Sequence, residues 1–244
     1  MRPPVPSRAL PLRAILAAAT PVPPRAALTR AERALVDRLR TPAAVQAWLN
    51  ALPYNTERGG ETLRTFRGVV AHGTAHCLEA ALFAAATLEQ HGYPPLLLSF
   101  ESIDRLDHVI YVYRGPEGWG SIARSRDPGL HGRRPVFATP RALAASYMDT
   151  YVDYSGRVTA YALVNLADAM GNYDWRLADT NVWKVERVLL DFPHRPLVMS
   201  DARYRRLLLR YRAFRAANNG KKPVSYYKGR QRWTPLPVDA GWAS

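Results

Sequence analysis

Residues 75–90, Ala-His-Cys-Leu-Glu-Ala-Ala-Leu-Phe-Ala-Ala-Ala-Thr-Leu-Glu-Gln, are apolar on nearly every face of a helix. Such a helix has no side to present to water and must be walled in by other elements. Thr74 is placed to cap it and Gly92 to close it. After Pro94 and Pro95 the period changes, and 96–100, 108–113 and 119–124 read as three strands. Gly115-Pro116-Glu117-Gly118 reads as a four-residue hairpin loop between the last two. A further strand is expected over 157–166. Helices are expected over 30–40 after Thr29, from Thr41-Pro42 to about residue 52, and over 61–70, 139–147, 180–190 and 200–217. The fold class is α+β: a central helix carrying a cysteine at its N-terminus, packed on an antiparallel sheet, with flanking helices at both ends.

With 244 residues, the chain suits one packed domain with extensions. Residues 1–28 read as a disordered Pro/Arg/Ala-rich leader, 29–202 as the domain, and 203–244 as a basic amphipathic helix and tail. The net charge of +14 is unevenly placed. Residues 1–40 carry eight basic side chains against two acids and 203–244 eleven against one, while 41–202 hold fifteen against seventeen. The domain itself is therefore not built around phosphate recognition. Nothing approaches the roughly 18 apolar residues of a membrane span, so no membrane partner is expected. One unpaired cysteine suits a reducing compartment, which points to the cytoplasm; the alternative is secretion through a weak N-terminal signal.

That cysteine is Cys77, in the first turn of the apolar helix. A thiol attacks acyl groups as thiolate, and free N–H groups at a helix start favour negative charge. A histidine base is also needed. His76 adjoins Cys77, but neighbours within a helix point about 100° apart. His91 lies at the far end of the same helix. His108, opening a strand after a polar loop, is the best partner. If the hairpin register sets Arg114 opposite Trp119 and Val112 opposite Ser121, then Ser125 falls opposite His108, with Asp127 diagonal to it on the same face. Either could orient the imidazole, and the carboxylate is the better chemical choice. Tyr54 and Asn55 are candidates for donating to an oxyanion or binding substrate, beside the Cys77 N–H, with loop anchoring as their other reading. Glu79 is a candidate substrate contact, with helix N-terminal stabilisation as its other reading.

The order of cysteine at a buried helix start, histidine on a strand and aspartate on the adjoining strand resembles the transglutaminase-like superfamily, a papain-like Cys/His/Asp fold. The stretches Tyr54-Asn55, Glu61-Thr62-Leu63-Arg64, His76 to Leu82, Asp107-His108-Val109 and Trp119 to Ala123 are similar to a bacterial group within it. The resemblance spans about residues 50–150, with a vaguer likeness at Trp183 to Arg187. It implies a transglutaminase-like domain at 29–202 and a thiol hydrolase or acyltransferase that cleaves an amide through a cysteine thioester. The substrate is then an amide-bearing peptide or small molecule, and no cofactor is expected.

Two other functions are compatible with these residues. One is a catalytically inactive transglutaminase-like binding or scaffold module. The other is a nucleic-acid-binding protein, or a binder of another acidic partner, using the basic and aromatic residues of 203–232. A zinc site built on His72, His76 and Cys77 would lack a second ligand pair at a recognisable spacing, so no metal is expected.

Overall fold

A computed structural model of the chain describes residues 21–103, 108–154 and 156–220. The first twenty residues of the expected leader, Asp107 of the family stretch, and the tail residues 221–244 lie outside the described residues. Residues 21–28, also assigned to the leader, are ordered. Arg25–Ala27 form one 3₁₀ turn, Leu28 is buried, and Arg67 donates to the Ala27 carbonyl.

Among the described residues eight α-helices surround one sheet: α1 Arg30–Arg38, α2 Pro42–Ala51, α3 Phe66–His72, α4 Cys77–Glu89, α5 Pro140–Met148, α6 Leu166–Met170, α7 Trp183–Asp191 and α8 Asp201–Ala217. The strands are β1 Leu96–Ser102, β2 His108–Gly115, β3 Gly118–Ile122, β4 Arg133–Phe137, β5 Val158–Asn165 and β6 Arg195–Pro196. All strand pairings are antiparallel, in the order β4-β3-β2-β1-β5-β6. The α+β class expected from the sequence is the class observed.

Helix starts follow local chemistry. Thr29, Thr41, Thr65, Thr139 and Ser200 each cap a helix by accepting from the N–H three residues on, and Pro42 and Pro140 stand in first turns. Thr74 is not the cap of α4; His76 is, and the Thr74 hydroxyl instead accepts from Arg64. The expected helix at 61–70 begins only at Phe66, because residues 62–64 are drawn onto the buried Glu79 carboxylate. The hairpin loop is shorter than expected. Gly115 pairs with Gly118, leaving a two-residue turn, and Gly118 adopts φ +148 with the Phe137 carbonyl 2.5 Å from where a Cβ would stand. Only glycine fits there.

Side chains alternate along each strand, so the sheet feeds two cores. On one side Leu97, Val109, Tyr111 and Val164 pack with α4, which is walled in by Val45, Leu49, Phe66, Val69 and Trp175. On the other, Leu98, Phe100, Ile110, Val112 and Trp119 pack against Leu143, Tyr147 and Met148 of α5. Leu207 of α8 joins this second core. Every residue from Leu78 to Glu89 is buried, as its composition requires. Among the described residues no helix is long and apolar enough to cross a membrane.

Candidate active site

Cys77 is the first residue of α4. The first intrahelical bond runs from the Ala80 N–H to the His76 carbonyl, so the Cys77 N–H lies ahead of it. The rings of His108 and His76 both lie beside the sulfur. Burial pushes the thiol up, but the two rings and their charge outweigh it and hold Cys77 down at about 5. The thiolate is its resting form at neutral pH.

His76 corrects the sequence reading, which set it aside as 100° from Cys77. That angle applies to two helical residues, whereas His76 is the extended cap of α4, at φ −89 and ψ −175. Its Nε2 donates to the Thr62 carbonyl at 2.9 Å and lies 3.6 Å from the Glu79 carboxylate. Burial opposes the imidazolium, but Cys77 beside it, with Glu79 and Thr62 behind, raises His76 to about 9.

His108 opens β2, buried, its ring parallel to that of Phe100 on the neighbouring strand at 6.1 Å. Its Nε2 is 2.9 Å from the Leu130 carbonyl, to which it donates, leaving Nδ1 for the sulfur. The expected orienting groups stand elsewhere. The hairpin register holds as far as Val112 opposite Ser121 and Tyr111 opposite Ile122, but the ladder ends there. The chain then leaves the sheet because Gln46 of α2 takes both main-chain groups of Ala123, accepting from its N–H at 2.9 Å and donating to its carbonyl at 3.0 Å. Ser125 is thereby removed from the position opposite His108; its hydroxyl accepts from the Asp127 N–H. The Asp127 carboxylate accepts from the Gly129 N–H at 2.8 Å and closes the turn that delivers Leu130.

The segment behind His108 is held by a network that sequence reasoning missed. The fully buried Arg133 guanidinium donates to the His131 carbonyl at 2.6 Å and the Gly129 carbonyl at 2.7 Å, and stacks 3.9 Å over the Tyr147 ring. The carbonyls flanking Leu130 are thus engaged by Arg133, and Leu130's own faces His108. His131 is buried beside Arg124, its Nε2 2.9 Å from the Ser125 carbonyl; burial pushes it down to about 3, so it stays neutral.

Asn55 and Glu79 turn into the fold and do not line the cleft. Asn55 is buried; its amide donates to Thr62 Oγ1 at 2.8 Å and Glu79 Oε2 at 2.9 Å, and its oxygen accepts from the Glu57 N–H. Glu79 is fully buried and accepts from Thr62 Oγ1, the Arg64 N–H, Asn55 Nδ2 and the His76 N–H. It is the hub that pins the 55–64 loop to the start of α4. Tyr54 stands at the cleft instead. Residue 54 bridges residue 75, and its ring lines the same cleft as Cys77. Burial, then the Cys77 charge, push its hydroxyl up to about 12, so it stays a protonated donor. The His72, His76 and Cys77 grouping does not form a metal set: among the described residues no three histidine, cysteine, aspartate or glutamate side chains are arranged to hold an ion.

Above Cys77 lies an open cleft of about 960 Å³, walled by the 54–63 loop, the end of β1, Arg126 and α7. No family model and no curated protein matches the chain. Among solved structures it is similar to LapG of Legionella pneumophila, at 14% identity over 59% of this chain and 82% of that one, with a TM-score of 0.35. The EGTA-treated form gives 14% identity, 72% and 86% coverage and 0.35. The calcium-bound form gives 13%, 66% and 86%, and 0.33.

Proposed function

We propose that this protein is a transglutaminase-like thiol enzyme that cleaves or transfers an amide-linked acyl group through Cys77. The observation that carries the reading is the placement of Cys77 as first residue of α4 on the floor of an open cleft, with the His76 ring in the same lining and the His108 ring beside the sulfur, a setting that holds the thiol down at about 5. A structural cysteine buried among alanines would be pushed up instead.

The Cys77 thiolate adds to the substrate carbonyl carbon, and the oxygen becomes an anion. The Cys77 N–H and the protonated Tyr54 hydroxyl are the donors placed to receive it. The C–N bond then breaks, and the leaving nitrogen takes the proton from His108 Nδ1. A thioester remains on Cys77. Water or an amine gives a proton to His108 and attacks the thioester; the S–C bond breaks, and the thiolate returns. His108 is the shuttle because a neutral main-chain carbonyl backs its far nitrogen, whereas the Glu79 carboxylate beside His76 holds that ring's proton in place. His76, buttressed by Thr62 and Glu79, holds positive charge beside the sulfur throughout.

The test is the pH dependence of Cys77 alkylation by iodoacetamide, followed by mass spectrometry. The proposal expects a midpoint near 5, against about 8.5 for an ordinary thiol. The midpoint is a better readout than the rate. A thiolate of pKa about 5 is a weaker nucleophile, so its advantage over a free thiol at pH 6 is only about fivefold. A midpoint at or above 8 would leave an inert fold that serves for binding alone.

A further inference from the structure

The basic excess of the chain lies at its two ends, and within residues 41–202, where the charges nearly balance, Glu57, Glu61, Glu101 and Glu186 gather around the opening above Cys77. Glu57 is tied down, since it accepts from the Thr62 N–H and lies 3.9 Å from His76. The other three are exposed and come from three separate elements: the loop before α3, the end of β1, and α7. Among the described residues none of these three is in an ion pair. The lining also holds two cations, Arg126, 5.6 Å over the Tyr54 ring, and His76 beside the sulfur. Carboxylates at separate points around one opening reinforce each other's field over about 10 Å at 0.1 M salt.

The wall that carries Glu186 has a second property. Trp183, Glu186 and Leu190 follow one another at helical spacing along one face of α7, and all three line the cleft. Trp183 is 37% and Leu190 57% exposed, although α7 buries Val185 and Leu189 in the usual way. An exposed indole and leucine on either side of a carboxylate suit a long aliphatic stem ending in a cation, which lays its methylenes on the apolar groups and its head on the acid.

We propose that the amide this site takes is carried on a positively charged peptide segment, its lysine or arginine side chains received by Glu61, Glu101 and Glu186 with Trp183 and Leu190 as the apolar seat. The proposal rests on the reading of Cys77 as nucleophile and adds the substrate class. The carboxylates draw the segment in and the aromatic wall fixes its stem, so the scissile carbonyl descends toward Cys77 between Tyr54 and His108.

Because Cys77 is the sole cysteine, the field at the sulfur can be read without a known substrate. Methanethiosulfonates of equal size, one carrying a trimethylammonium group and one a sulfonate, are reacted with the full chain, with N-acetylcysteine amide as the reference thiol. At 20 mM salt the cation-to-anion rate ratio should exceed the reference ratio by about tenfold or more, and collapse in 0.5 M salt. The E61Q/E101Q/E186Q variant should lower it at least threefold while the iodoacetamide midpoint stays far below that of a free thiol, falling slightly as the carboxylates no longer oppose the thiolate. In a second arm, peptide amides flanked by lysine or arginine should be turned over at least tenfold faster, as kcat/KM, than glutamate-flanked counterparts, and W183A should raise KM more than it lowers kcat. A ratio equal to the reference, or unchanged in the triple variant, overturns the substrate class even where the low iodoacetamide midpoint upholds the nucleophile. An iodoacetamide midpoint near that of a free thiol overturns the nucleophile itself.

Discussion

Nε2 of His108 and the carbonyl oxygen of Leu130 are 2.9 Å apart, so the group behind the imidazole is main chain. A carbonyl fixes the ring and its tautomer as a carboxylate would, but adds no full negative charge. The electrostatic support for the Cys77 thiolate comes instead from two imidazoles, one of them backed by buried Glu79.

Asp127 therefore separates two mechanisms. Its carboxylate accepts from the Gly129 N–H, a bond that asparagine preserves. Asp127→Asn should keep turnover of any substrate within about fivefold, whereas replacing a carboxylate that orients a catalytic histidine can cost about 10⁴ in rate. Asp127→Ala loses the turn, with an expected stability cost of about 1–2 kcal/mol. A rate loss of several hundredfold for the asparagine variant, with its melting temperature unchanged, would return Asp127 to the catalytic set.

Arg133 should act on His108 through the loop it holds. Lysine cannot reach two carbonyls and stack on Tyr147 at once. Arg133→Lys is expected to lower kcat about tenfold with KM little changed. It should also raise the iodoacetamide midpoint of Cys77 as the Leu130 carbonyl loses its alignment. If stability falls while midpoint and kcat/KM hold, Arg133 is structural only.

The pair of histidines on Cys77 gives a graded prediction. His108→Ala removes the larger of the two ring influences and His76→Ala the smaller. The thiol midpoint should therefore rise further in the first than in the second, and approach or pass 8.5 when both are removed. Turnover should vanish for His108→Ala alone, because the His76 proton, with the Glu79 carboxylate 3.6 Å away, is held too tightly, at about 9, to be passed on near neutral pH.

What could be read in the sequence was what local chemistry decides. The all-round apolarity of 78–88 required a buried helix, the caps Thr29 and Thr41 set helix starts, and the Gly115 to Gly118 turn set a register true through Tyr111 and Ile122. What could not be read was decided at a distance. The strand stops at Ile122 because Gln46, 77 residues earlier, pairs with Ala123, and no local signal marks that position. β4 was missed because Arg133-Arg134-Pro135 carries no strand alternation, its first arginine being buried on carbonyls. His76 was misjudged for one residue's backbone: being the cap rather than the first helical residue turns its ring toward the sulfur.

Glu79 offers a test of how the site is assembled, because four donors converge on a fully buried carboxylate. Burial pushes its pKa up, but His76 and those donors win and hold it below its ordinary 4.5. A carboxyl depressed in the folded state stabilises the protein above its unfolded pKa, and that contribution fades as pH falls through the folded value. Glu79→Gln turns an N–H toward donors that need an acceptor. At pH 7 the variant should lose about 3 kcal/mol, measured by urea denaturation, and its Cys77 midpoint should rise as the 55–64 loop and His76 loosen. The gap between wild type and variant should narrow only below about pH 4.5, where wild type gives up the same carboxylate. A gap that stays constant from pH 7 down to pH 3 would mean that packing, not the charge, is what Glu79 supplies.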